Sequence, residues 1–450
     1  MNHFTLVGGR VVDPASGRDE VTNLQVADGR IVSIGEEVAG TRVDVTGLVV
    51  APGLVDLHVH LREPGGEAAE TIATGTMAAA AGGYTAVFAM PNTDPVTDGP
   101  QQVARIREIA RREASCDVHP VGAITVGQLG TQLVDVPAMA AAGVRYLSDD
   151  GHPVASASMM RDALTSAAAA GIVVGNHSEE PTLTVGAQLN EGPTSRRMGL
   201  AGWPREAEDV MVARDLILAG GLGARLHVPH LSTSGAVDLV REAKSRGVRV
   251  TAEVTPHHMA LTDELAEGWQ TEFKVNPPLR TARDVTALHR GLADGTIEVI
   301  ATDHAPHAAE QKGRPWADAP CGMVGSETAL AVTITELVTP GTISLSTAID
   351  RLSRTPARVM GLRHQGGPLV PGAAANLTVF DLHASWTVDP DRLHTRGRNS
   401  PFSGRTLRGR VVHTLLRGEF TFRDGRPTGS TGASRRGPAP GVPHEADHGV

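Results

Sequence analysis

The chain has 450 residues, 40% hydrophobic and 20% charged, with a formal net charge of −9. That length allows one large domain of about 250–300 residues with a smaller one beside it, and an acidic balance without a long basic run argues against a nucleic-acid partner. No apolar stretch approaches the roughly 18 residues of a membrane span, the start Met1-Asn2-His3-Phe4 carries no secretory signal, and two distant cysteines, Cys116 and Cys321, exclude a disulfide framework, so a cytoplasmic protein is expected.

Residues 4–50 read as short strands, with Asp28-Gly29 as a hairpin turn between Leu24-Gln25-Val26 and Arg30–Ile34. From residue 52 the pattern becomes strand, loop, helix, repeated. Eight strands are expected at 53–58, 84–89, 118–124, 144–148, 172–176, 225–229, 248–253 and 297–301. Helices are expected between them, at 68–81, 100–114, 156–170, 205–219, 233–246 and 283–293. Eight such units predict a closed parallel (β/α)8 TIM barrel, with an open doubly wound sheet as the competing arrangement. After residue 362 strands return at 376–380, 410–416 and 420–422. Neither terminal block has enough residues for its own core. The reading is therefore a small β domain built from 1–51 and 362–426, a barrel from 52–361, and a disordered Pro, Gly and Ser-rich tail at 427–450.

In a barrel, chemistry sits beyond the C-terminal ends of the strands. The first strand ends in Asp56-Leu57-His58-Val59-His60-Leu61-Arg62. Residues two apart on a strand share a face, so His58 and His60 point together, roughly 7 Å apart at the backbone, with Arg62 next on that face. The fourth strand runs into Asp149-Asp150, the fifth into His177, the sixth into His230 and the eighth into Asp303. Taken singly, His177 or His230 reads as a hydrogen-bonded core histidine, and Asp150 or Asp303 as a turn or cap residue. Four His and two Asp on one rim read instead as ligands for two borderline metal ions, above all zinc, sharing a carboxylate and a bridging hydroxide. A carboxylate beside that hydroxide can take the water's proton and pass it to a leaving nitrogen. The residues alone thus reach a metal-dependent hydrolase, and no further.

The stretches Asp56–Gly65 and Ala301–His307, with Met90-Pro91-Asn92-Thr93, Asn176-His177-Ser178-Glu179 and Lys274–Arg280 in support, resemble the amidohydrolase superfamily and, within it, the dihydroorotase family. The resemblance covers about residues 4–425. It implies a cyclic amide hydrolase with two Zn²⁺ per chain: His58, His60 and Asp303 on one ion, His177 and His230 on the other, Asp150 bridging, and Asp303 as general acid/base. It implies that Arg62, Asn92 and His307 hold the substrate carboxylate, and that Asn276 and the backbone near Gly322 and Met323 contact the ring. The implied reaction is reversible closure of N-carbamoyl-L-aspartate to L-dihydroorotate in pyrimidine synthesis. Most relatives bridge the metals with a carboxylated lysine after the fourth strand. This chain has only Lys244, Lys274 and Lys312, none near that strand, so Asp150 takes the place, as in the bacterial class that uses aspartate, with Asp149 as a hydrogen-bonding neighbour. Cys321 stands where the family usually has Phe. The alternatives are an allantoinase or hydantoinase, which the missing lysine and Arg62 argue against, and an inactive dihydroorotase-like partner of aspartate carbamoyltransferase, which would lack ligands. The expected partners are the small-molecule substrate, further copies of the chain in a homo-oligomer, and aspartate carbamoyltransferase as a candidate.

Overall fold

The computed structural model describes residues 3–35 and 37–428. All eight expected barrel strands form: Leu54–Val59, Tyr84–Ala89, Asp117–Pro120, Tyr146–Ser148, Val173–Gly175, Leu226–Val228, Val250–Val254 and Val299–Ile300. They pair in chain order and in parallel. Two closures decide between barrel and open sheet. Gly122 bridges Leu147, joining the third strand to the fourth, and Val59 bridges His304, joining the first to the eighth. His60 N donates to His304 O at 2.8 Å at the second closure. The sheet therefore has no edge, and the doubly wound alternative falls.

Helices occupy the expected segments: Ile72–Ala81, Pro100–Glu113, Ala157–Ala170, Glu206–Leu222, Ser234–Ser245 and Ala282–Asp294. Their starts follow capping chemistry, since the side chains of Thr71, Ser156 and Thr233 each accept an orphan N–H of the first turn. Two helical regions escape the sequence pattern. Val136–Ala141 is too short to show a period. The run Ala329–Val359 after the eighth strand contains two wider π turns, Ile334–Val338 and Asp350–Arg354, which smear the 3.6-residue repeat.

Val55, Leu57, Ala86, Phe88, Val121, Tyr146, Val173 and Val299 pack together inside the barrel, so its lower part is core rather than pore. The polar site lies above this layer. The terminal segments form one nine-stranded sheet. Its joint is Val49–Pro52, parallel to His3–Asp13 and antiparallel to Leu377–Thr387. This strand leads directly into the first barrel strand. Phe4, Leu24, Val26, Ile31, Val50, Leu377, Val379 and Leu415 form its separate core. Asp28 (φ +50°) and Gly29 (φ +80°) make the hairpin turn, both in the left-handed region that a type I′ turn needs. Arg426–Pro427 pair with Phe422 and Arg423, so the sheet reaches into the segment read as a tail, and 429–450 lie outside the described residues. Among the described residues no helix is long and apolar enough to cross a membrane.

Candidate metal centre

Five strand ends deliver the six candidate ligands to one buried point. Asp150 is its hub. Its Oδ1 lies 3.3 Å from His58 Nε2, 3.3 Å from His230 Nε2 and 3.7 Å from His177 Nδ1, and its Oδ2 lies 3.3 Å from His60 Nε2. Two donor groups result, His58–His60–Asp150 and Asp150–His177–His230, with Asp150 in both. Asp303 Oδ1 adds a carboxylate 3.1 Å from His60 Nε2 and 3.5 Å from His58 Nε2. All six side chains are buried. The His58 Nε2 atom is buried with no aligned hydrogen bond, although it faces Asp150 and Asp303 oxygens, an arrangement that a cation set between them would satisfy. The mixed nitrogen and carboxylate donors suit a divalent ion. Burial raises the Asp150 carboxyl, but the His58 charge and the close imidazoles of His177 and His230 outweigh it and hold Asp150 well below the usual range. Asp303 is lowered in the same way: burial opposes, and the His58 charge and the His60 hydrogen bond prevail.

Three further groups fix which ring nitrogen faces the centre. Glu253, in the seventh strand, sits 2.8 Å from His58 Nδ1 and 3.0 Å from His227 Nε2, and accepts the His230 backbone N–H at 3.2 Å. Asn92 Oδ1 lies 2.9 Å from His60 Nδ1. Glu179 Oε2 lies 3.2 Å from His177 Nε2 and also accepts from Asn276 Nδ2 at 3.0 Å. Such partners orient ligand imidazoles and raise their basicity. Sequence reasoning assigned no role to Glu253 or Glu179. The signal for Glu253 was present: a lone carboxylate in the apolar strand Val250–Val254 must have a partner.

The strand-face argument fails for Arg62. The first strand ends at Val59, and Arg62 has φ +59°, so the alternation stops before reaching it. A left-handed turn, not the pleat, brings it to the rim, where its Nε donates to Pro306 O at 3.1 Å. Burial lowers its pKa, and Asp303, Asp150 and Glu70 act on it through space to oppose that. His230 (φ +35°) and Asp303 (φ +46°) are left-handed too. Such strain costs on the order of 1–3 kcal/mol per residue and gathers where side chains must be aimed.

The other expected contact residues lie around the same rim. His307 Nε2 donates to Cys321 O at 2.7 Å, and burial with the nearby Arg62 charge pushes its pKa down to about 3, so it is a neutral imidazole. Asn276 sits across the site on Glu179. Gly322 has its N–H on Lys274 O at 3.0 Å and its carbonyl on Asn399 Nδ2 at 3.0 Å and Lys312 Nζ at 3.2 Å. Met323 O accepts from Ala305 N at 2.8 Å. The backbone atoms of Gly322 are thus already engaged, and its φ of +140° with His307 Nε2 only 2.7 Å from a notional Cβ explains the glycine. Asp149 accepts the N–H groups of Ile124 and Thr125, which makes it a loop anchor and leaves the centre to Asp150. The lysines stand apart: Lys244 pairs with Glu298 at 2.6 Å, while Lys274 and Lys312 bind backbone carbonyls of the 312–322 region.

A closed parallel barrel with paired imidazole groups sharing a carboxylate at its C-terminal rim defines an amidohydrolase. The Amidohydrolase family model matches residues 224–422 and the Dihydro-orotase-like model residues 47–236. The chain is 50% identical over 420 residues to a dihydroorotase of Pelotomaculum thermopropionicum, covering 93% of this chain and 98% of the relative. It is 49% identical to that of Streptomyces coelicolor (94% and 99% covered) and 48% to that of Mycobacterium tuberculosis (91% and 97% covered). The fold superposes on an L-hydantoinase (dihydropyrimidinase) from Arthrobacter aurescens with a TM-score of 0.85 at 26% identity, over 95% of this chain and 98% of the other. The chain belongs to the dihydroorotase family.

Proposed function

We propose that this chain catalyses the reversible closure of N-carbamoyl-L-aspartate to L-dihydroorotate and water, in de novo pyrimidine synthesis. The observation that carries the choice of substrate within the superfamily is Arg62: a guanidinium on the metal rim, beside neutral His307, which forms no ion pair among the described residues. It suits a ring that brings its own carboxylate.

The centre is proposed to hold two Zn²⁺, with His58, His60 and Asp303 on one, His177 and His230 on the other, and Asp150 shared. When bound, the ions supply Lewis acidity and lower the pKa of water at the site. Arg62 and Asn92 hold the ring carboxylate, joined by His307 once its Nε2–H turns from the Cys321 carbonyl to the substrate, and Asn276 faces the ring. In the hydrolytic direction Asp303 accepts one proton of the attacking water as the C–O bond forms. It then gives that proton to the ring nitrogen as the C–N bond breaks. Closure runs through the same steps in reverse.

The domain division 1–51, 52–361 and 362–426 is proposed on the same footing, as are a cytoplasmic site of action and a homo-oligomer, alone or with aspartate carbamoyltransferase. Sedimentation of the pure protein and of the mixture separates these two states.

The deciding experiment assays dihydroorotate hydrolysis by the isolated protein, with metal content measured on the same sample. Turnover with close to two zinc per chain is expected. Asp150→Ala should lose metal and activity together. A metallated protein inert towards dihydroorotate but active on hydantoins would replace the proposed substrate.

A further inference from the structure

The connection between the long terminal strands Leu377–Thr387 and Thr406–Leu416 does not stay with its sheet. It crosses to the mouth of the barrel and is clamped there. His394 N and Thr395 N both donate to Glu327 Oε1, at 2.7 and 3.2 Å, and His394 Nδ1 lies 2.8 Å from Glu327 Oε2. Arg396 N donates to Glu70 at 3.3 Å, and Thr395 Oγ1 donates to the same carboxylate. Glu70 is fully buried. Between these anchors and Phe402 lie two residues that meet the substrate rim.

Asn399, 3% exposed, spends its whole side chain on that rim. Its Oδ1 accepts the His307 N–H at 3.2 Å, and its Nδ2 donates to Ala305 O and Gly322 O, each at 3.0 Å. Its carbonyl accepts Val324 N at 3.1 Å. One amide thus ties the segment after the eighth strand to the returning segment 322–324. Gly397 packs on Pro306, whose carbonyl holds Arg62 Nε. A Cβ on Gly397 would stand 2.7 Å from Pro306 Cβ and 2.9 Å from its Cα, so no side chain fits without moving Pro306.

We infer that segment 394–399, supplied by the terminal sheet and not by the barrel, is a positioning strap for the carboxylate grip, with Asn399 acting through His307 and Gly397 acting through Pro306 on Arg62. Its hydrogen bonds go to none of the six candidate metal donors. The two grip residues lie far apart in sequence, and the strap holds the backbone behind both. This rests on the carboxylate-binding roles proposed above for Arg62 and His307.

The test compares wild type with Asn399→Ala and Gly397→Ala, as full chains with metal content measured. For each variant KM for dihydroorotate should rise roughly tenfold, about 1.4 kcal/mol of lost positioning, by more than kcat falls and at unchanged metal content. Asn399→Asp should not rescue, because a carboxylate would face the carbonyls of Ala305 and Gly322. Hydrogen exchange without substrate gives a second readout. Amides of 304–324 should lose protection in Asn399→Ala while those of the barrel strands keep it. Unchanged KM and unchanged protection at 304–324 would overturn the strap. If wild type fails to turn over dihydroorotate, the proposed reaction fails, and the exchange data alone decide whether the strap positions this rim.

Discussion

Arg62 can be separated from the metal chemistry because its side chain hydrogen-bonds the carbonyl of Pro306 and none of the six candidate donors. Removing a charge-assisted pair to a substrate carboxylate costs roughly 2–5 kcal/mol of transition-state binding. Arg62→Met should therefore lower kcat/KM for dihydroorotate by about 10²-fold or more, with normal metal content. Dihydrouracil, the same ring without the carboxylate, should be a poor substrate scarcely affected by the change. Equal losses on both compounds would make Arg62 a structural residue. Asp303 stands in the opposite position, within 3.5 Å of both His58 and His60. On the proposed roles, Asp303→Asn keeps an oxygen donor there and loses the proton acceptor. It should retain much of the metal while turnover falls at least about 10²-fold. Near-normal turnover in a metal-loaded Asn variant would assign the proton to another group.

The seventh strand, Val250–Val254, gives no ligand, yet Glu253 at its end links the first and sixth strands through His58 and the His230 amide. Glu253→Ala would leave three buried donors unpaired and His58 free to turn. Metal affinity should drop about 10–100-fold, the usual scale for losing an orienting partner. Glu253→Gln keeps an acceptor for His58 and the His230 amide and should lie nearer to wild type; equal losses in Ala and Gln would mean that charge, not orientation, is what Glu253 contributes. The contrast between this strand and the first shows what a sequence exposes. His-x-His announces itself because both candidate ligands are local, and the eight strands announce themselves by apolar runs of strand length. Glu253 reaches a partner 195 residues away and Asn399 one 92 residues away. No spacing rule encodes such pairs. The left-handed turns at Arg62, His230 and Asp303 were equally hidden, since none carries the glycine that usually marks one. The strap was hidden because 394–399 has no period and reads as a plain connection between strands.

At the scale of the whole molecule, candidate ligands from five strands meet at one point, so ion binding should brace the barrel. Chelation should lower Tm, by an amount that grows with metal affinity. His177 and Glu179 make one part of the pH response of the chelated protein. Burial opposes a charged His177, but hydrogen bonds to Asp150 and Glu179 outweigh it and lift its pKa from 6.5 to about 10. Burial also opposes an ionised Glu179, but the His177 hydrogen bond and charge lower it from 4.5 to about 2. A raised histidine contributes its full stability below about 6.5 and loses it as pH climbs to about 10. A depressed carboxyl contributes above about 4.5 and loses its share as pH falls to about 2. The share of stability from this pair is largest between about pH 4.5 and 6.5. An ion, however, needs His177 neutral, so binding must expel protons and tighten as pH rises above that window. The Tm advantage of the chelated wild type over chelated His177→Ala should therefore shrink between about pH 6.5 and 10, while the wild-type gain in Tm on adding zinc grows over the same range. Thermal unfolding at several pH values with and without zinc, plus proton release measured in weak buffer, checks both. A zinc-induced gain independent of pH, with no proton released, would remove His177 from the ligand set.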